Sequence, residues 1–264
     1  MTASATQARS VPLPTPTSAA AATAAEYAAL LTMGRSLAPA DWNAPTECTG
    51  WRVRDMLAHC AGAAEQGAKF ALFGARFSQA VLRWVRAGRP GDSVDFWCAQ
   101  QIAQRESWSN DAVQADLERW SRSAPAARQA IPALLRRMPI PPFAGLRPGA
   151  DLGYLLDSIS VRDIWLHRID IARATGAALP GSSGEAEVVT QVMRDLDLSW
   201  TEPGVDVELT GRVPGRWRLG DDAQSSLSVD AVAFMRLLSG RSDECLFVGD
   251  QAAVPALRSA RVVF

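Results

Sequence analysis

A chain of 264 residues is long for one compact core and short for three, which favours two domains. Hydrophobic residues at 48% and charged residues at 21% supply enough apolar surface for a substantial core and argue against a disordered chain. A net charge of −1 argues against a nucleic-acid binder, which carries a basic surplus.

The opening "MTASATQARSVPLPTPTSAAAATAAEYAALL" is broken by prolines and only weakly hydrophobic, so it resembles neither a secretory signal nor a membrane anchor. Residues 1–17 read as a flexible Pro/Thr-rich tail. From Ser18, the spacing of Tyr27, Leu30, Leu31 and Leu37 predicts an amphipathic helix that stops near Pro39. A loop through "PADWNAPTECTGW" follows. Thr49 is the expected N-cap of the next helix, whose stripe is Val53, Met56, Leu57 and Cys60 and which runs to about Arg86 with a break near Gly74. Gly88 to Gly91 is a turn. Helices are expected over Val94–Glu106 and from Asp111 towards Met138, the latter broken or kinked at Pro125 and Pro132. "MPIPPFAGLRPG" is a loop. Asp151 caps a long helix that ends at Gly176.

Long helices joined by loops predict an antiparallel four-helix bundle over residues 18–180. Past "LPGSSGE" the texture changes. A helix over Ala186–Trp200 precedes the alternating runs "VDVELTG", "GRWRLG" and "SSLSVD", read as strands of an antiparallel sheet. Asp230 caps "AVAFMRLLSGR", a helix covers Ala252–Ser259, and "RVVF" supplies a last strand. Residues 181–264 therefore form a small α+β domain, and the fold class is α+β. Cys48, Cys60, Cys98 and Cys245 are scattered without a CxxC pair, which fits a reducing compartment and a cytoplasmic protein. Lys69 is the only lysine among many arginines and alanines, the bias of a high-GC genome.

The chain has two histidines, His59 and His167. Asp163 precedes His167 by four residues, so the two share a helix face and can hold a divalent metal through a carboxylate oxygen and an imidazole nitrogen. A third ligand must come from elsewhere, and His59 on another bundle helix is available. The same spacing also serves a plain helix-stabilising pair, and a histidine in an Ala/Leu-rich helix is often just a core residue. Cys60 points about 100° away from its neighbour His59 and reads as a core cysteine. The SxxK, GxSxG and HExxH motifs are absent, and no glycine-rich loop cradles a phosphate.

"DWNAPTECTGWRVRDMLAHCAG", with its Pro-Thr, Gly-Trp, Val-Arg-Asp and His, and "RDIWLHRIDIARATG" resemble the two signatures of the DinB-like, mycothiol-dependent maleylpyruvate isomerase family. "GRWRLG", "LSVDAVAFMRLLSGR" and the closing "VVF" resemble that family's sterol-carrier-like C-terminal domain. The resemblance covers about residues 25–264. It implies that His59, Asp163 and His167 bind a divalent metal, taken as zinc, with Asp163 standing where the isomerase type has Glu. It also implies mycothiol as the thiol cosubstrate, and a small electrophile that is isomerised or takes the thiol in S-transfer. A non-catalytic binding protein with a structural or vestigial metal site is the alternative. Asp170 can orient His167 or a water from behind the metal, or else pair with Arg173 or Arg168 at the surface. Arg162 and Arg168 can attract carboxylates or face solvent, and Arg241 can reach the thiol ligand. Trp51 and Trp165 wall the pocket or pack in the bundle.

Overall fold

The computed structural model describes residues 4–140, 146 and 149–264. It divides into two compact units, Thr15–Gly184 and a second made of the described residues up to Pro14 with Glu185–Phe264. The architecture is α+β: a helical region is followed by a mixed sheet with helices.

In the helical unit, α1 (Pro16–Ser36) starts behind Thr15, whose hydroxyl oxygen accepts the Ser18 N–H at 3.1 Å, with Pro16 at the first position where a missing N–H costs nothing. Next, α2 (Val53–Ala68) begins three residues later than a Thr49 cap would place it. Gly50 has φ +82°, which a helix start cannot use, so the chain turns there, and the Asp55 carboxylate accepts the Arg52 backbone N–H at 2.9 Å. The break before α3 (Phe70–Arg86) falls at Lys69, with φ −126° and ψ 84°, while Gly74 stays helical. The turn with Gly88 and Gly91 leads into α4 (Ser93–Ala103), and Ser109 caps α5 (Asn110–Ser121).

The two prolines do break the next stretch: Pro125 enters the first turn of α6 (Ala124–Gln129), and Pro132 precedes α7 (Ala133–Arg136). The loop expected around Pro141 to Pro148 lies largely outside the described residues. Asp151 caps α8 (Leu152–Tyr154) through the Tyr154 N–H at 2.8 Å, as expected. The long helix predicted beyond it is interrupted by a π-helical turn, Leu155–Ile159, before α9 (Ser160–Thr175) ends at left-handed Gly176. The core is built from Tyr27, Leu30 and Met33 of α1, Met56, Leu57 and Ala61 of α2, Val113 and Leu117 of α5, and Ile164 and Ile171 of α9. Through it runs a fully buried ion pair between Arg168 and Glu26.

The second unit holds α10 (Glu185–Leu198), β2 (Gly204–Thr210), β3 (Gly215–Leu219), β4 (Ala223–Asp230), α11 (Ala231–Leu238), β5 (Phe247–Gly249) and α12 (Val254–Ser259), with β1 (Thr6–Gln7) from the N-terminus. The strand order is β1-β3-β2-β4-β5. The sheet is mixed, which corrects the antiparallel expectation: β2 carries buried Val205, Val207 and Leu209 and takes the centre, so β4 lies parallel to it on the side away from β3. The last strand is Phe247–Gly249 and not "RVVF", because the Val262 N–H closes onto the Leu238 carbonyl at the end of α11 (3.0 Å).

The flexible-tail expectation also fails over the described part of residues 1–17. Thr6 and Gln7 pair in parallel with Trp217 and Arg218, and the buried Asp197 carboxylate accepts the Gln7 side-chain amide at 2.8 Å and the Arg9 N–H at 2.7 Å. A composition rich in Pro and Thr does not show that an edge strand and a buried acceptor await the segment. No described helix is long and apolar enough to cross a membrane.

Candidate metal centre

His59 lies on α2 and both Asp163 and His167 on α9, and the fold brings the three together across 104 residues of sequence. Asp163 Oδ2 is 3.1 Å from His59 Nε2, and Asp163 Oδ1 is 3.2 Å from His167 Nε2. The two imidazole rings meet edge to face at 5.1 Å. Both histidines are buried, and of the three side chains Asp163 is the most open, at 27% exposure.

Electrostatics reinforces this arrangement. Burial by itself lowers an imidazole pKa, but the Asp163 carboxylate outweighs it by charge and hydrogen bonding and holds both histidines well above the usual value. Cys98 adds to the rise at His59, and Asp170 and Cys48 add to it at His167. Burial likewise pushes Asp163 up, and the two imidazoles reverse it, holding the carboxyl well below the ordinary carboxylate range. Two imidazole protons carry the same total charge as one divalent cation, so the pocket is matched to either.

The donors fit a metal ion. One nitrogen from each histidine and one Asp163 oxygen lie within 4.8 Å of one another. Each imidazole nitrogen has its own carboxylate oxygen in reach, His59 Nε2 with Oδ2 and His167 Nε2 with Oδ1, so the carboxylate lies between the two histidines. Shortening Glu to Asp therefore does not take the carboxylate out of reach of either histidine.

Around this cluster the structure decides several open alternatives. Asp170, fully buried, faces His167 Nδ1 with Oδ2 at 3.2 Å, leaving Nε2 turned to Asp163. Its full burial rules out a surface salt bridge, and Arg173 pairs with Glu47 and Arg168 with Glu26. Arg162 is also fully buried, beside the Tyr154 ring, so neither Arg162 nor Arg168 faces solvent or offers an open site for a carboxylate. Trp51 stands 5.2 Å from the His59 ring and 5.9 Å from the His167 ring, half-buried as a wall, whereas Trp165 is packed in the core. Cys60 is buried, and desolvation pushes its thiol pKa up. Arg241 lies in the C-terminal unit just after α11, its backbone N–H on the Arg236 carbonyl at 2.9 Å. Sequence reasoning missed Cys48, whose Sγ lies 3.8 Å from Asp170 Oδ2, and Cys98 beside His59. The one signal for Cys48 is its place three residues before Trp51.

The fold and the cluster define a class: a helical unit carrying a candidate His/Asp metal centre, followed by an α+β unit. The family model of the mycothiol maleylpyruvate isomerase N-terminal domain matches residues 23–172, more than half of the chain, and the chain belongs to that family. The chain also shares its fold with two crystal structures of mycothiol-dependent maleylpyruvate isomerase. One has a TM-score of 0.52 at 15% identity, and the other, a mutant, has 0.51 at 14%. Each comparison covers 92% of this chain and 95% of the solved one. No curated protein matches the sequence.

Proposed function

We propose that this protein is a metal-dependent enzyme that uses a low-molecular-weight thiol, mycothiol, to act on a small electrophile by isomerisation or S-transfer. The reading rests above all on Asp163, whose two oxygens reach both buried imidazoles at 3.1 and 3.2 Å. His59, Asp163 and His167 would hold the ion, with zinc the best match to a nitrogen and carboxylate donor set. A divalent metal bound there lowers the pKa of a coordinated thiol and so supplies a thiolate nucleophile at neutral pH.

The chain's own residues prepare that site. Asp170 fixes the proton of neutral His167 on Nδ1, so that Nε2 presents its lone pair towards Asp163. Trp51 lies tilted beside both rings and forms an apolar wall there, which strengthens the charge interactions next to it. Cys60, buried with a raised pKa, stays protonated and does not compete as a nucleophile. Arg241 is proposed to bind polar groups of the thiol, which Arg241→Ala tests through the KM for thiol. We place the enzyme in the cytoplasm, with no nucleic-acid or membrane partner.

Metal analysis of the purified protein, beside His59→Ala and His167→Ala, tests the centre. A mycothiol-conjugation screen against small electrophiles tests the chemistry. One equivalent of zinc lost in both variants, together with thiol-dependent turnover, is expected. Metal-free protein from zinc-replete cells, or turnover unchanged in both variants, overturns the reading.

A further inference from the structure

We infer that Cys48 is a positioning residue for the metal centre, acting through Asp170 on His167 from a short rigid loop in front of α2. The inference rests on the metal-dependent reading above. It begins with the loop itself. The Thr46 N–H donates to the Trp51 carbonyl at 2.9 Å, the Thr46 hydroxyl donates to the same oxygen at 2.9 Å, and the Trp51 N–H donates to the Cys48 carbonyl at 2.9 Å. A bridge between Pro45 and Arg52 closes the base. The loop is tied to α9 a second time by Glu47, whose carboxylate takes Arg173 Nε at 2.9 Å.

Three consecutive contacts thus run from this loop to the helix that carries Asp163 and His167. Glu47 holds Arg173, Cys48 holds Asp170, and Trp51 lies against the His167 ring. Of these, the Cys48 contact bears on the ligand's electronic state. Its Sγ–H donates to Asp170 Oδ2 at 3.8 Å, and that same oxygen faces His167 Nδ1 at 3.2 Å. Asp170 is fully buried, where an ionised carboxylate needs donors to stay charged and aimed. The thiol supplies one from a half-buried position beside the site. Removing it weakens the hold on Oδ2 and with it the preference for the tautomer that leaves His167 Nε2 free to bind.

A double-mutant cycle in the full chain tests this, with Zn²⁺ affinity measured by chelator competition for wild type, Cys48→Ala, Asp170→Asn and the double variant. Cys48→Ala is expected to weaken Zn²⁺ binding by about threefold to tenfold, at or below the low end for partners behind a metal ligand. In the Asp170→Asn background the same change is expected to have a smaller effect, because the neutral amide oxygen that replaces the carboxylate is a weaker acceptor and a weaker partner for His167. Cys48→Val, which keeps the bulk, replaces Cys48→Ala if that variant does not fold.

Ring ¹⁵N shifts of metal-free protein at alkaline pH supply a readout independent of metal. Wild-type His167 should carry its proton on Nδ1, and Cys48→Ala should mix in the Nε2–H form. Unchanged affinity with unchanged ring shifts overturns the inference, as does an equal loss in both backgrounds, which marks a general packing role. A thiolate charge-transfer band in the Co²⁺-substituted wild type also overturns it, by making Cys48 a ligand. If wild type binds no Zn²⁺ at all, the functional reading falls, and the ring shifts still decide the Cys48 relay.

Discussion

Lowering the pH should strip metal from this centre with a steepness set by its two histidines. Both His59 and His167 have pKa values held well above the usual imidazole value, chiefly by Asp163 working against burial, so below those raised values both carry protons in the metal-free protein. Asp163 is held well below its usual range by the same pair and is already ionised, so it releases none. Binding a divalent ion must therefore displace two protons. Below both imidazole pKa values, affinity should then fall about a hundredfold per pH unit, or about 2.7 kcal/mol. Titration of the apo protein with Zn²⁺ against a chromophoric chelator at a series of pH values between about 5 and 8 reads the slope. Asp163→Asn removes the chief cause of both shifts, so its binding should be weaker throughout yet flatter with pH near neutrality. A wild-type affinity independent of pH, or an Asp163→Asn variant with an unchanged slope, refutes the electrostatic account.

The same groups set the stability of the metal-free protein. The raised histidine values give stabilisation that is fully present below about pH 6.5 and lost as pH rises through their folded values. The lowered Asp163 value gives stabilisation present above about pH 3.9 and lost as pH falls through its folded value. Thermal melts of apo protein should accordingly show a falling Tm on the alkaline side, and Zn²⁺ should restore it there by binding the native state alone. Arg168→Ala should remove a buried countercharge of Glu26 and cost about 3–5 kcal/mol in urea unfolding; a loss below 1 kcal/mol would show that the pair contributes little to stability. Asp197→Ala should cost about 1–3 kcal/mol and free the N-terminal strand, measured as faster amide exchange at Gln7 and Arg9.

The helices and the candidate ligands were legible because each depends on local chemistry. Apolar spacing marks α1, α2 and α9, Asp151 and Asp230 cap their helices, and Asp163 and His167 share a face by their separation alone. What stayed hidden depends on partners distant in sequence. The strand at Thr6–Gln7 exists only because β3 has an open edge and Asp197 an unmet need for donors, neither of which is written in the Pro/Thr-rich stretch itself. The parallel pairing of β2 with β4 follows from which strand takes the centre, a tertiary decision. Cys48 and Cys98 looked merely scattered because each meets its histidine through folding, over 119 and 39 residues respectively.

Whether an acid as short as Asp163 spans the donor set depends on how the helices approach each other. An aspartate, one methylene shorter than a glutamate, reaches His59 only if its helix lies close to α2, and helix separation follows the size of the side chains at the contact. On α2 the buried positions flanking His59 include Ala58, Ala61 and Gly62. Small side chains there let neighbouring helices come near. At Gly62 an added Cβ would lie 2.6 Å from the Gln101 Cβ of α4, the helix that also places Cys98 beside His59. A residue that looks like filler in the sequence thus lets α4 close on α2 beside the histidine that Asp163 meets at 3.1 Å. The length of the acid and the approach of α9 to α2 form one geometric quantity, and the 3.1 Å between Asp163 and His59 is its measure.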